Sequence, residues 1–322
     1  MIDWTPGPIL LSIPFPVIGQ LDLYWYGVCY ALGLMAVYVV VTRLAARIGQ
    51  NPEYVGNGMI VIGVAALIGG RLYHVIDQFN ACGPGGPCYS HDLIKIVLPP
   101  YTGLGVYGGI ITGLFAFAFL VRRWRLDLWA WADVVAIGIF VMQAIGRWGN
   151  FFNQELYGPP TDLPWGIAID CAHRVAAYPC DTFPLATTHF TPLFLYESLS
   201  GVLGAAVLWW VLSKPRPALR RGDLLGFGLI WYAFVRFTLE NLRTGNWRLD
   251  GIPTAQIFSI AFALFGVALI VLRHMTARPD EIPGPPEPDD ELEVTGADEV
   301  ASADAAASDA AGDASLGAGT TA

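Results

Sequence analysis

Charge is scarce in this chain. Only 14% of its 322 residues are Asp, Glu, Lys or Arg, against 54% hydrophobic residues. That poverty excludes an ordinary soluble domain and points to a polytopic membrane protein. No lysine or arginine precedes Arg43, so a cationic signal-peptide n-region is not expected. None occurs in residues 280–322 either, where twelve acidic residues gather. The formal net charge of −9 is therefore a property of the tail, because residues 1–279 hold 18 basic and 15 acidic groups. Common hydrolytic signatures are also missing. There is no G-x-S-x-G elbow, no H-E-x-x-H and no Walker loop, which disfavours an intramembrane serine protease. No paired halves or internal repeats of transporter type occur.

What is present is a series of apolar runs close to the ~20 residues needed to cross hydrocarbon. Seven are expected, at about Leu23–Ala46, Val55–Ile76, Gly103–Val121, Leu128–Ile145, Phe194–Leu212, Leu224–Leu242 and Thr254–Leu272. All should be helical, since an apolar run in lipid satisfies its backbone internally. Pro8 to Ile18 is short and broken by Pro14 and Pro16, which places it at the interface. Eleven of the eighteen basic residues fall in one set of connections: Arg43, Arg47, Arg122, Arg123, Arg125, Lys214, Arg216, Arg220, Arg221, Arg273 and Arg278. The other seven (Arg71, Lys95, Arg147, Arg174, Arg236, Arg243 and Arg248) lie in spans or on the opposite side. The expected orientation is N-terminus outside and C-terminus cytoplasmic. The expected division is a membrane domain over 1–278 and an acidic, disordered cytoplasmic tail over 279–322, whose composition buries too little apolar surface to offset ordering entropy.

Cys82 and Cys88 fall in the connection after the second run, and Cys171 and Cys180 in the one after the fourth. Both are assigned outside, where disulfides form. The pairs Cys82–Cys88 and Cys171–Cys180 are expected, with cross-pairing between the two connections open. Zinc binding by the four is the weaker reading, because neither pair has the short C-x₂₋₄-C spacing. Cys29 reads as a small apolar filler. The connection from Phe151 to Pro192 is long and rich in aromatics, which predicts an ordered external cap between the fourth and fifth spans.

The polar residues within and beside these runs carry the chemistry. At the end of the fourth run stands Arg147-Trp-Gly-Asn150-Phe-Phe-Asn153-Gln-Glu155-Leu-Tyr-Gly158. A cation, two carboxamides and a carboxylate reach a membrane surface together there. Ionisable groups at such depth are usually functional, and they suit an anionic, amphiphilic substrate. Arg236, Glu240 and Arg243 are spaced i, i+4, i+7, which puts them on one helical face with Glu240 bridging both guanidinium groups. An Arg fork matches phosphate oxygens; the alternative is an ion-pair network that fixes helix register. Other polar groups in the runs are Tyr24, Tyr26, Arg71, Tyr73, His74, Asp77, Tyr107, Gln143 and Glu197. A tyrosine near a span end is commonly a headgroup-level anchor, and that reading is taken for Tyr24. The glycines at 69, 70, 103, 105, 108, 109 and 113 permit close helix approach and leave room for a headgroup beside Tyr107.

Gly146-Arg-x-Gly-Asn-Phe-x-Asn-x-Glu-x-x-Gly158 resembles the signature of bacterial prolipoprotein diacylglyceryl transferases. Four further elements resemble that family in the correct order: Leu23-Tyr-Trp-Tyr26-Gly27, Gly69-Gly-Arg71-Leu-Tyr73, Thr191-Pro192 with Leu195-Tyr196-Glu197, and Arg236-Phe237-x-x-Glu240-x-x-Arg243. The likeness extends over nearly all of residues 20–275. One departure matters. Many members carry a His-Gly-Gly-Leu segment in the third span, where this chain has Tyr107-Gly108-Gly109-Ile110. A phenol titrates far above neutral pH, so the histidine-base mechanism does not carry over. His189 is also slightly displaced from the family's His-Pro pair.

The resemblance implies a bacterial plasma-membrane enzyme. It would move the diacylglyceryl group of phosphatidylglycerol onto the lipobox cysteine of a prolipoprotein, with no cofactor, metal or nucleic-acid partner. The expected catalytic residues are Arg147, Arg243, Tyr26, Tyr107 and Glu155. The expected substrate-binding residues are Arg147, Asn150, Asn153, Gly158, Arg236, Glu240 and Arg71. The competing readings are a lipid or small-solute transporter using the same basic cavity, and a structural scaffold, which leaves the intramembrane arginines unexplained.

Overall fold

The computed structural model describes residues 1–15, 19–81, 89–91, 93–97, 103–214 and 218–276. The expected Cys82–Cys88 pair, Arg216, Arg278 and the acidic tail lie outside those residues. The chain opens with an antiparallel hairpin, β1 (Ile9–Phe15) and β2 (Gly19–Tyr24), in which Ile13 pairs Leu21. Apolar residues at alternating positions, Ile9, Leu11 and Ile13 on one strand and Leu21 and Leu23 on the other, stay exposed. Residues 9–15 of the Pro-broken segment expected at the interface thus form one strand of this apolar pair.

Among the described residues seven long helices follow: α1 (Trp25–Arg47), α2 (Glu53–Asp77), α4 (Val106–Arg123), α5 (Leu128–Phe152), α6 (Leu193–Leu212), α7 (Asp223–Glu240) and α8 (Thr254–Thr276), with a single turn, α3 (Ile94–Val97), between α2 and α4. Six of them are long and apolar enough to cross a membrane; α7, which carries Asp223, Arg236 and Glu240, is not among the six. Its membrane part is all-helical, and the chain is a polytopic membrane protein.

Local chemistry sets the helix ends. The Asp127 carboxylate caps α5 by accepting the Trp129 and Ala130 amides, both at 2.9 Å. At the other end, Asn153 caps the helix, and Gln154 and Leu156 take left-handed φ values of 52° and 60°, which cannot propagate it. The sixth apolar run is expected to stay helical through Leu242, but α7 stops at Glu240. There Asn241 turns its side-chain amide back onto the Phe237 and Thr238 carbonyls, and Asn246 donates to the Glu240 carbonyl. With those terminal carbonyls satisfied from outside, the helix ends.

Helix α5 is the buried centre. Its Trp131, Val134, Ile137 and Phe140 meet Val41 and Leu44 of α1, Leu208 and Leu212 of α6, and Leu224 of α7. Helices α2 and α4 pack as a close pair, where a Cβ on Gly108 would overlap the Gly69 carbonyl. Thr112 Oγ1 crosses that contact to donate to the Ala65 carbonyl at 2.8 Å.

Residues 153–192 and the extreme N-terminus form one ordered layer over the C-terminal end of α5. Its apolar core is Phe151, Tyr157, Ile167, Ile169, Phe190 and Phe194. Short bridges join Ile2 to Ile167 and Ile167 to Phe190. Cys171 and Cys180 are disulfide-bonded, with Cα atoms 5.7 Å apart. Cys29 is free and buried. Arg174 is an internal strut: Nε donates to the Ile169 carbonyl at 2.7 Å, a terminal nitrogen donates to the Phe183 carbonyl at 3.1 Å, and the guanidinium sits 4.4 Å from the Phe190 ring centroid.

Candidate active site

The last two turns of α5 deliver Arg147 and Asn150, three residues apart and so on neighbouring positions of one face. Arg147 meets the Asn150 carboxamide oxygen at 3.5 Å. Its strongest partner comes from another helix: a terminal nitrogen of Arg147 forms an ion pair with Glu197 Oε2 of α6. The other carboxylate oxygen of Glu197 lies 3.3 Å from Arg236 of α7, and Arg236 in turn pairs with Glu240 at 2.6 Å, one helical turn on. Three helices thus converge on an alternating chain, Arg147–Glu197–Arg236–Glu240. The two carboxylates are 2–3% exposed, Arg236 is 15% exposed and Arg147 is 30% exposed. Gln143, one turn before Arg147, donates to the Glu197 carbonyl at 3.2 Å.

Within this chain the charges balance, so an anion must be met by groups the internal pairs leave over. Two are evident among the described residues. The Arg147 Nε–H is buried without a hydrogen-bond partner, and a buried orphan donor is costly unless something supplies an acceptor. Arg243 is exposed and forms no ion pair among the described residues. This corrects the expected bridge. Glu240 holds Arg236 alone, because α7 ends before Arg243 comes round to the same face.

Glu197, and not Glu155 from its own segment, is the carboxylate paired with Arg147. Glu155 is exposed and accepts a 2.6 Å hydrogen bond from Asn153 Nδ2, while its amide donates to the Asn150 carbonyl at 2.9 Å. Tyr26 of α1 does reach this region. Its ring covers Gly149, where a Cβ would sit 2.7 Å from the ring, and it lies within electrostatic reach of Arg147 and Glu155. Its hydroxyl is 3.3 Å from that of Tyr30. Only glycine at 149 lets the phenol lie this close to the Arg147 turn.

The remaining expected site residues are placed differently. Gly158 is a packing position, its amide donating to the Thr191 carbonyl at 2.8 Å while a Cβ would lie 3.1 Å from the Leu242 carbonyl. Arg71 reaches the Ile96 and Gly103 carbonyls at 3.3 and 3.5 Å and stacks over Tyr89, tying the α3 segment to α2. Tyr107, at the start of α4, is 51% exposed, with its ring 5.9 Å from that of Tyr73.

Two residues had no role assigned from sequence. Glu197 stands in the sequence as a polar residue of the fifth apolar run and as the end of the Leu195-Tyr196-Glu197 element, and neither reading shows that it joins the two arginines. The available signal was that it is the sole charge in α6, and a lone intramembrane carboxylate calls for a cation. Gln154 was missed altogether. Buried at the end of α5, it donates to the Pro6 carbonyl at 2.9 Å and to Asp170 at 2.8 Å, and accepts the Asp170 amide at 2.7 Å. It fastens the capping layer to the Arg147 turn. Burial alone would raise the Asp170 carboxyl, but hydrogen bonds from His173 and Gln154 outweigh it and hold that group below the usual carboxylate range.

The chain is similar in sequence to known proteins over most of its length. The family model for prolipoprotein diacylglyceryl transferase matches residues 12–272. The chain is 38% identical to the phosphatidylglycerol–prolipoprotein diacylglyceryl transferase of Cutibacterium acnes over 84% of its own length and 90% of the relative's. It is 35% identical to the enzyme of that name from Chloroflexus aggregans, covering 87% and 97%, and 33% identical to that from Synechococcus elongatus, covering 83% and 87%. With a matched region that spans every long helix but the last turn of α8, and with the charged chain of α5, α6 and α7 inside it, this protein belongs to the prolipoprotein diacylglyceryl transferase family.

Proposed function

We propose that the protein transfers the diacylglyceryl group of phosphatidylglycerol to the thiol of a prolipoprotein lipobox cysteine, in the plasma membrane of a bacterium. The sulfur attacks the glyceryl carbon that bears the phosphate ester. A carbon–sulfur bond forms, the carbon–oxygen bond breaks, and glycerol 1-phosphate leaves with the electron pair; the thiol proton passes to an acceptor. The observation that carries this reading is the Arg147–Glu197–Arg236–Glu240 chain with its orphan Arg147 Nε–H. It presents fixed donors where phosphate charge grows, and such preorganised electrostatics is often the largest catalytic contribution.

In this mechanism Arg147 and Arg243 neutralise the phosphate, and Arg236 is held in register by Glu197 and Glu240. Asn150 and Asn153 bind headgroup hydroxyls or peptide backbone. Tyr26 and Tyr107 donate hydrogen bonds, and Glu155, exposed beside Asn153, is the candidate acceptor for the thiol proton. A free thiol ionises near pH 8.5, and a cationic neighbourhood lowers that value, which lightens the demand on the base. Arg71 acts at a distance by fixing the α3 segment.

The proposed topology has all seven long helices spanning, α7 shielding its charges inside the bundle, the N-terminus and capping layer outside, and the C-terminus cytoplasmic. Residues 1–278 form the catalytic membrane domain. The test is mass spectrometry of a lipobox peptide incubated with purified protein in phosphatidylglycerol liposomes. A diacylglyceryl increment on cysteine, absent from a Cys→Ser peptide and lost in Arg147→Ala, is expected. Full activity in folded Arg147→Ala removes that residue from the mechanism, and no increment in wild type refutes the assignment in favour of transport.

A further inference from the structure

At the far end of α5 from Arg147, a groove of about 660 Å³ opens between the last turns of α4 and the start of α5. Leu128, on its wall, is nineteen residues before Arg147, or roughly 28 Å along the helix. The groove is therefore separate from the site described above. Its composition is divided. Phe115, Ala118 and Phe119 form an apolar slope along α4, with Phe115 73% exposed and Phe119 63% exposed, and Arg122 and Arg125 close its end.

Neither Arg122 nor Arg125 has an ion pair or hydrogen bond with its side chain among the described residues. The nearby carboxylate, Asp127, is already engaged by Arg221 at 2.6 Å and by the α5 amides. Two unpaired guanidinium groups at the end of an apolar slope match an amphiphile with a phosphate head and an acyl tail. Guanidinium groups bind phosphate oxygens in fixed geometry, and basic recesses between membrane helices are a recurrent form of headgroup site.

We propose that this groove binds one anionic phospholipid, its phosphate between Arg122 and Arg125 and an acyl chain along Phe115 and Phe119. With the orientation proposed above, the lipid belongs to the cytoplasmic leaflet. It is a bound companion and not the reacting donor, which must meet Arg147 at the other surface. A lipid here covers the exposed slope of α4 beside the start of α5.

The experiment uses the full chain in detergent and phosphatidic acid carrying a photoactivatable acyl chain, with the phosphatidylcholine analogue as control. Phosphatidic acid is anionic but lacks the glycerol headgroup of the proposed donor. Labelling is mapped by peptide mass spectrometry. The expected result is labelling of the α4 peptide containing Phe115 and Phe119 by the phosphatidic acid probe, with little from the phosphatidylcholine probe. Arg122→Gln with Arg125→Gln should reduce it by about tenfold or more, the loss of two charge-assisted bonds, while Arg122→Lys with Arg125→Lys retains most of it. Peptide lipidation should be unaffected by either pair, so failure here is distinguishable from failure of the transferase reading. Equal labelling by both probes would make the groove a non-selective apolar face and overturn the proposal. Full competition by inorganic phosphate would identify an anion site without a lipid, which also overturns it. The comparison of probes on wild-type protein decides the matter even where the double Gln variant folds poorly.

Discussion

Glu197→Gln is the sharpest test of the charged chain, because it changes one atom's character and almost no volume. Glu197 is 2% exposed and shares its two oxygens between Arg147 and Arg236. The amide can still accept one hydrogen bond, but it cannot balance two cations. Arg236 keeps Glu240 at 2.6 Å, so the change falls mainly on Arg147, which loses its anchor. One charge-assisted bond is worth about 1.5–3 kcal/mol. If that orientation is spent wholly on the transition state, turnover falls about 10- to 150-fold, at 1.36 kcal/mol per decade. Stability falls too, since removing one partner from a buried pair costs about 3–5 kcal/mol. The two effects are separable. Peptide lipidation is measured in phosphatidylglycerol liposomes with the folded fraction fixed by size-exclusion chromatography, and kcat and KM are resolved against lipid fraction. A folded Glu197→Gln protein with turnover within about threefold of wild type would refute the idea that Glu197 aims Arg147.

Three further outcomes are expected. Tyr107→Phe should lower turnover about tenfold, one hydrogen bond's worth of roughly 1–1.5 kcal/mol, while leaving the melting temperature unchanged, because the exposed phenol has no hydrogen bond to the protein among the described residues; unchanged turnover across pH would show its hydroxyl dispensable. Replacing both Cys171 and Cys180 by serine opens a link of sequence separation 9, for which chain entropy gives about 2.5–3 kcal/mol. The loss should appear as faster proteolysis of residues 160–190, with the helical bundle intact. Asp170, whose carboxyl is held low by His173 and Gln154, contributes stability that is fully present above its unfolded value near 3.9 and lost as pH falls through the folded value. The melting-temperature gap between wild type and Asp170→Asn should therefore be full at about pH 6 and close below about pH 4; a gap that widens on acidification would reverse the sign.

Much of this protein was legible from local pattern. Apolar runs of bilayer length fix the existence of the long helices, since lipid leaves the backbone no other partner. Arg147 with Asn150, and Arg236 with Glu240, sit three and four residues apart, so helical periodicity alone brings them together. Cys171 and Cys180 are near enough in sequence to pair within one connection. The tertiary structure decided what depends on groups distant in the chain. Glu197 reaches both arginines only because α5, α6 and α7 converge. Gln154 ties Asp170 to Pro6, which is 148 residues before Gln154 in the chain. Arg243 leaves the expected face because Asn241 and Asn246 satisfy the final carbonyls of α7. Periodicity carries information over one or two turns of helix. The balance of a buried charge, and the point where a helix yields to its cap, depend on whichever side chains the fold brings alongside.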